Sequence, residues 1–185
     1  EGELEYSWRG AKPWRGQLNV ATIETGPLIP EWPGRVSGRI DVSGQTEPLA
    51  LSAELTDVTG TLRGAALQAG GGFSFATNKL LVNDLHAMHG LSVFKANGGT
   101  EEASGLAFEI SIPDIGDYVA ALSGDLKSSG VVRTTPGQSY LSLTADATEL
   151  RYGNVLISDL RIDDVRTQEQ IAGLKLAATQ IIVGD

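Results

Sequence analysis

Cysteine is absent from this 185-residue chain, so it can hold no disulfide framework, thiolate metal site or cysteine nucleophile. Histidine is almost absent, with only His86 and His89 present. Three residues apart on a strand they face opposite ways, which argues against a shared metal and leaves them as solvated turn residues. A Ser/His/Asp set would have to recruit one of the same two imidazoles. No serine sits in a Gly-x-Ser-x-Gly elbow, so hydrolase chemistry is not expected. Positive charge is also in deficit, with 14 Lys and Arg against 23 Asp and Glu, a net charge of -9 and a pI near 4.7. Such a surface repels phosphate backbones, and nucleic acid is not an expected partner. No apolar run reaches the roughly 18 residues of a membrane-spanning helix, and no signal-peptide pattern is present. Lysine is scarce while Thr, Ser, Val, Leu and Ile abound, which disfavours long helices and favours many short strands.

What is abundant is glycine, at 23 residues against 7 prolines. The glycines follow no three-residue period, so they read as turns and bulges rather than collagen. Period-two alternation dominates the chain. Leu4, Tyr6 and Trp8 share one face of a first strand, and Trp14, Leu18 and Val20 one face of a second. Val36, Ile40 and Val42 follow, then Leu49, Leu51, Ala53 and Leu55. Further runs cover Leu62 to Leu67, Gly72 to Ala76, a turn at Thr77-Asn78-Lys79, Leu80 to Ala87 and Leu91 to Ala96. Leu106, Phe108, Ile110 and Ile112 alternate most regularly, and strands near 124–132, 139–148, 155–165 and 171–183 complete about a dozen.

One interruption has helical spacing: Ile115, Tyr118, Val119 and Leu122 follow Pro113 and Asp114. This predicts one short amphipathic helix near 114–122, with Asp114 as its N-cap and Gly124 as its stop. An internal repeat is expected as well. At constant spacing Ile29 matches Ile115, Trp32 Tyr118, Val36 Leu122, Gly38 Gly124, Ile40 Leu126 and Gly44 Gly130. It suggests two stacked units, about 29–112 and 115–185, within one segment that covers 1–185. Both ends read as strand and Glu1 is not an initiator Met, so the sequence is expected to belong to a longer protein.

The remaining chemical motifs are weak. Gly70-Gly71-Gly72 and Gly98-Gly99 lack the Lys-Ser/Thr and the helix of a phosphate loop and read as bulges or turns. Glu101-Glu102 and Asp163-Asp164 lack a calcium-loop pattern and read as solvated edges. No cofactor is expected and the chain is not expected to be an enzyme. The apolar faces fit either a closed β-sandwich or a sheet curled into a trough for a greasy ligand, and alternation alone accepts both.

Trp14-Arg15-Gly16-Gln17-Leu18, then Pro30-Glu31-Trp32-Pro33 and Val36-Ser37-Gly38, resemble the interior of the TamB family, the inner subunits of the translocation and assembly module. Leu150-Arg151-Tyr152 through Leu160-Arg161-Ile162, and Gln168-Glu169-Gln170-Ile171-Ala172-Gly173-Leu174, fit in the same order. A related AsmA-like bridge protein is the alternative that these residues resemble in the same style. The family's N-terminal membrane anchor and TamA-engaging C-terminal domain have no counterpart in these residues, so the resemblance implies a middle span.

The resemblance implies an all-β fold: an elongated, curled antiparallel or mixed sheet forming a β-taco trough with an apolar interior. It also implies a periplasmic location, in an inner-membrane-anchored protein reaching toward the outer membrane. Two roles come with it: phospholipid transport, and assembly of outer-membrane proteins such as autotransporters together with TamA. The cargo is then phospholipid or apolar protein segments, with TamA engaged by other parts of the protein. A closed structural spacer and a β-augmentation chaperone surface are the alternatives. On the trough reading, Leu49, Leu51, Leu55, Leu106, Phe108, Ile110 and Ile112 line the groove, with Ile40, Val42, Leu126, Leu141 and Leu143 as further positions. Trp32, Tyr118 and Leu122 are expected to cap it.

Overall fold

The alternation is realised as strands in nearly every place it occurs. A computed structural model describes residues 2–6, 12–77, 79–135, 138–167 and 171–183. Trp8 of the first expected face and Asn78 of the expected Thr77–Lys79 turn lie outside them. Among the described residues there are fourteen strands: β1 (Gly2–Tyr6), β2 (Pro13–Glu24), β3 (Gly34–Thr46), β4 (Leu49–Leu62), β5 (Ala65–Ala76), β6 (Lys79–His89) and β7 (Ser92–Gly99), followed by β8 (Leu106–Ile112), β9 (Leu122–Gly124), β10 (Leu126–Thr135), β11 (Gln138–Tyr152), β12 (Val155–Thr167), β13 (Ile171–Ala177) and β14 (Gln180–Val183). The fold is all-β, and the pairings within each unit described below are antiparallel rather than mixed.

Two expectations are corrected. The run Leu62 to Leu67 is not one strand but the end of β4, a tight turn and the start of β5. Arg63 (φ 48°) and Gly64 (φ 80°) both adopt the left-handed conformation that a two-residue hairpin turn requires. The helix over 114–122 shrinks to a 3-10 turn, Ile115–Asp117. Asp114 does cap it, accepting from the Gly116 amide at 2.9 Å, but also from the Gly124 amide at 3.2 Å. Leu122 is drawn into β9 opposite Tyr152, so strand pairing takes the residues that the helical spacing had claimed.

The chain divides into two units, residues 1–90 with 95–99 and residues 91–94 with 100–185. In the first, β1 to β6 form a meander in chain order. In the second, β8, β10, β11, β12 and β13 are successive neighbours, while β9 pairs β11 beyond the end of β10 and β14 pairs β12 beyond the end of β13.

Long strands pose a problem of phase, since one extra residue turns every later side chain to the other face. The first unit meets it with bulges at one level across the sheet. The register shifts between Val20 and Ile23 on β2, between Leu55 and Val58 on β4, and between Gly70 and Gly72 on β5 opposite Asp84 of β6. Asp57 (φ 50°) and Asp84 (φ 46°) are the left-handed residues of two of these bulges. Aspartate is tolerated there because its short polar side chain bonds locally. On β4 the half-buried positions accordingly switch from Leu51, Ala53 and Leu55 to Val58, Gly60 and Leu62. On β6 the inward positions switch from half-buried Leu80 and buried Val82 to half-buried Leu85, Ala87 and His89. The Gly70–Gly72 cluster thus flanks a bulge, as its sequence suggested.

Polar side chains satisfy the backbone groups these breaks release. The Asp84 amide donates to Asn97 Oδ1 at 3.1 Å, and His86 Nδ1 lies 2.9 Å from the Asp84 carbonyl, to which it can only donate. The Ser37 hydroxyl donates to the Ala21 carbonyl. In the second unit the break falls between β9 and β10, where Asp125 accepts from the Thr148 and Glu149 amides at 2.9 and 3.2 Å and from the Thr148 hydroxyl at 3.2 Å. Asp159 of β12 again takes φ 49° beside this break.

Two measurements test the crease. Asp57→Gly is expected to be near neutral in urea unfolding, whereas Asp57→Val, which puts a β-branched residue at positive φ, is expected to cost about 1–2 kcal/mol. Desolvation pushes the Asp125 carboxyl up, but its hydrogen bonds to Glu149 and Thr148 together outweigh this and hold it below the ordinary carboxylate value. Its contribution is therefore complete above the unfolded pKa of about 3.9 and lost as pH falls through the lower folded value. Thermal melts below about pH 4 should show a steeper loss in the wild type than in Asp125→Asn.

Candidate functional site: one apolar face in each unit

Residues directly opposite in an antiparallel ladder share a face. In the first unit Trp14 lies opposite Gly44, Gly44 opposite Leu51, Leu51 opposite Phe75 and Phe75 opposite Leu80. The next row is Gly16, Val42, Ala53, Phe73 and Val82, and the next contains Leu18, Ile40 and Leu55. Ile40, Val42, Leu49, Leu51 and Leu55 therefore occupy one face, with Leu49 at the β3–β4 hairpin and 62% exposed. The intervening rows are polar: Glu5, Arg15, Ser43, Ser52 and Ser74, then Gln17, Asp41 and Glu54. Arg15 pairs with Glu5 at 2.8 Å. Arg39 holds Asp41 at 2.7 Å and, with Gln17, depresses the Asp41 carboxyl, which relieves the like charge of Glu54 directly opposite.

Over β8, β10 and β11 the second unit repeats this sidedness, while β12 sets Arg166 opposite Leu141 and Asp164 opposite Leu143. Leu106 is opposite Val132 and Val132 opposite Leu141; Phe108 is opposite Gly130 and Gly130 opposite Leu143. Ile110 faces Ser128, Ile112 faces Leu126, and Ala147 faces Leu160. The other face carries Lys127, Asp146 and Arg161, then Ser129, Thr144 and Asp163. Asp163 is paired with Arg161 at 3.2 Å, and Glu101 and Glu102 are exposed.

Gly44 and Gly130, matched in the sequence, do the same job in their units. A Cβ on Gly44 would come within 2.7 Å of the Trp14 ring, and one on Gly130 within 2.6 Å of the Phe108 ring. Each ring lies over the glycine on the neighbouring strand. A cleft of about 630 Å³ at this end of the first unit is lined mainly by the alternate rows, with Glu5, Arg15, Ser43, Ser52 and Ser74 among them, beside Trp14, Gly44, Leu51 and Phe75.

A closed sandwich fills the space between two sheets with fully buried side chains at crystal-like density. Here no large side chain among the described residues is fully buried, and the buried apolar set is Val82, Ala96, Leu106 and Ala147. The apolar faces are half-buried by their own neighbours instead.

Of the expected cap residues, Trp32 sits in the 25–33 loop, fixed by Thr25 Oγ1 donating to its carbonyl at 2.6 Å. Its ring meets the His89 ring edge-on at 5.5 Å, and the Arg63 guanidinium lies 5.1 Å from its centre. His89 Nε2 lies 2.8 Å from the Leu62 carbonyl, so it is the protonated nitrogen. Tyr118 and Leu122 lie in and after the 3-10 turn, both half-buried. The two loops share a turn pattern: Ile29 to Thr25 and Trp32 to Ile29 in the first, Val119 to Ile115 and Leu122 to Val119 in the second. The sequence reading passed over Phe73, Phe75, Leu80 and Val82, which complete the first unit's face, and over Arg63.

A family model described as TamB, N-terminal domain, matches residues 1–185. The chain belongs to the TamB family. The matched model is the N-terminal domain, which corrects the expectation of a middle span in TamB. No solved structure matches the chain. Among the described residues, no helix is long and apolar enough to cross a membrane and no group of three or more metal-ligating side chains comes together.

Gly130→Val is expected to displace the Phe108 ring and destabilise the protein by about 1–3 kcal/mol in urea unfolding, with Gly130→Ala nearer the lower end.

Proposed function

We propose that this chain is a non-catalytic section of a periplasm-spanning TamB bridge, whose apolar faces form a groove carrying phospholipid toward the outer membrane. The observation that supports this reading is a face kept apolar through the bulges of β4 and β6 yet without a closed core among the described residues. Covering about 8 methylenes of an acyl chain is worth about 6 kcal/mol at about 0.8 kcal/mol each. In the first unit such an aliphatic wall also lets a chain slide, because the rows through Leu51, Ala53 and Leu55 carry no charged residue. The outward rows of Arg, Asp, Glu and Ser keep the other face wetted.

The same groove can shelter apolar protein segments during assembly of outer-membrane proteins with TamA. That role uses the same wall, and the cargo that crosslinks to it tells the two apart.

In the full-length protein, Leu51→Asp is expected to abolish complementation, while Leu51→Ala and the outward Ser52→Asp retain most of it. A photocrosslinker at Leu51 or Phe108 should capture phospholipid. Normal complementation by Leu51→Asp, with loss in Ser52→Asp, would sink the groove; protein adducts in place of lipid at both positions would move it to chaperoning.

A further inference from the structure

The crease divides the apolar face of the first unit into two stretches, and each runs out to one end of the strands. On β4 the stretch of Leu51, Ala53 and Leu55 leads back to the β3–β4 hairpin, and that of Val58, Gly60 and Leu62 leads on to the β4–β5 turn, where the Arg63 amide donates to the Pro33 carbonyl of the 25–33 loop at 2.7 Å. Exposure is not even along this face. Among the described residues of the first unit, the three most exposed large apolar side chains are Leu28 at 68%, Leu49 at 62% and Ile29 at 51%. All three sit at the strand ends, Leu49 on the hairpin and Leu28 and Ile29 on the loop.

We propose that the hairpin and the loop are two lips that close on each other over an empty groove, Leu49 against Leu28 and Ile29, and that an acyl chain parts them. The proposal rests on the groove reading above. A bulge bends the strand that carries it, and bulges at one level on β4, β5 and β6 give those bends a common axis between the lips. Along that axis the backbone is held by the side chains of Asn97, His86 and Ser37 in place of a continuous ladder. Bending there breaks fewer ladder bonds than bending within either stretch.

Both lips are already ordered. Pro27, Pro30 and Pro33 stiffen the loop, and the Leu28 and Ile29 amides both donate to the Thr25 carbonyl, at 2.9 and 2.8 Å. Little freedom is then lost when the lips touch. Charge does not oppose the contact: Glu31 is the one charged residue of the loop, and Glu47 of the hairpin is paired with Lys12 at 3.3 Å. Water on the uncovered apolar rows favours closure, and an acyl chain supplies that cover instead.

These 185 residues contain no cysteine, so a pair introduced into them in the full-length protein reports on the lips. Leu28→Cys with Leu49→Cys should oxidise to an intramolecular disulfide in lipid-free protein, which requires the two Cα atoms to come within about 7 Å. Leu28→Cys with the outward Ser52→Cys should not. Loading with phosphatidylethanolamine from vesicles should slow formation of the disulfide about tenfold. Protein locked by the disulfide should lose uptake of acyl-labelled phosphatidylethanolamine and regain it on reduction. Ile29→Cys with Leu49→Cys gives the same reading if the first pair does not fold. No disulfide in a folded pair, or a rate that lipid leaves unchanged, overturns the lips, and lipid uptake by the same reduced protein leaves the groove standing. Wild-type protein that takes up no lipid overturns the groove and the lips together.

Discussion

Everything in this molecule depends on keeping the two faces of long strands from exchanging. A β-strand alternates strictly, so a strand of a dozen residues stays amphipathic only if the sequence never loses count. These sheets do lose count, at Asp57, Asp84 and the break beside Asp125, and the loss is absorbed by bulges at the same place where the apolar pattern changes parity. The apolar wall is the result of two errors that cancel.

The polar economy follows from that constraint. A bulge leaves amides and carbonyls without ladder partners. Asn97, His86, Ser37 and Asp125 each supply the missing partner. The two histidines, read from the sequence as solvated turn residues, are engaged in this way, His86 on a bulge carbonyl and His89 on the carbonyl that ends β4. Glycine serves the wall differently, by making room beneath Trp14 and Phe108 for rings that lie flat on the neighbouring strand.

Most of the fold was legible because period two is a strong signal over strands this long. Leu106 through Ile112 fell on one face as read, and so did Ile40, Val42, Leu51 and Leu55. What failed were places where local spacing is degenerate. Leu62 to Leu67 alternates through a turn that only the left-handed pair Arg63 and Gly64 betrays, and the helical spacing of 115–122 yields to pairing partners far away in sequence. The completing residues Phe73 and Phe75 follow a glycine cluster, and without the bulge their phase could not be tied to that of Leu51. Arg63 and His89 meet Trp32 only through tertiary placement, and no sequence pattern links the three.

The crease also bears on how such a chain can change length. Inserting or deleting one residue in a regular strand inverts its faces and ruins an amphipathic sheet. At Asp57 or Asp84 the count is already reset, and a bulge can widen or close there while both flanking stretches keep their sides. A single-residue gain or loss is thus best accommodated along that line and at the hairpins, where the walls on either side keep their length.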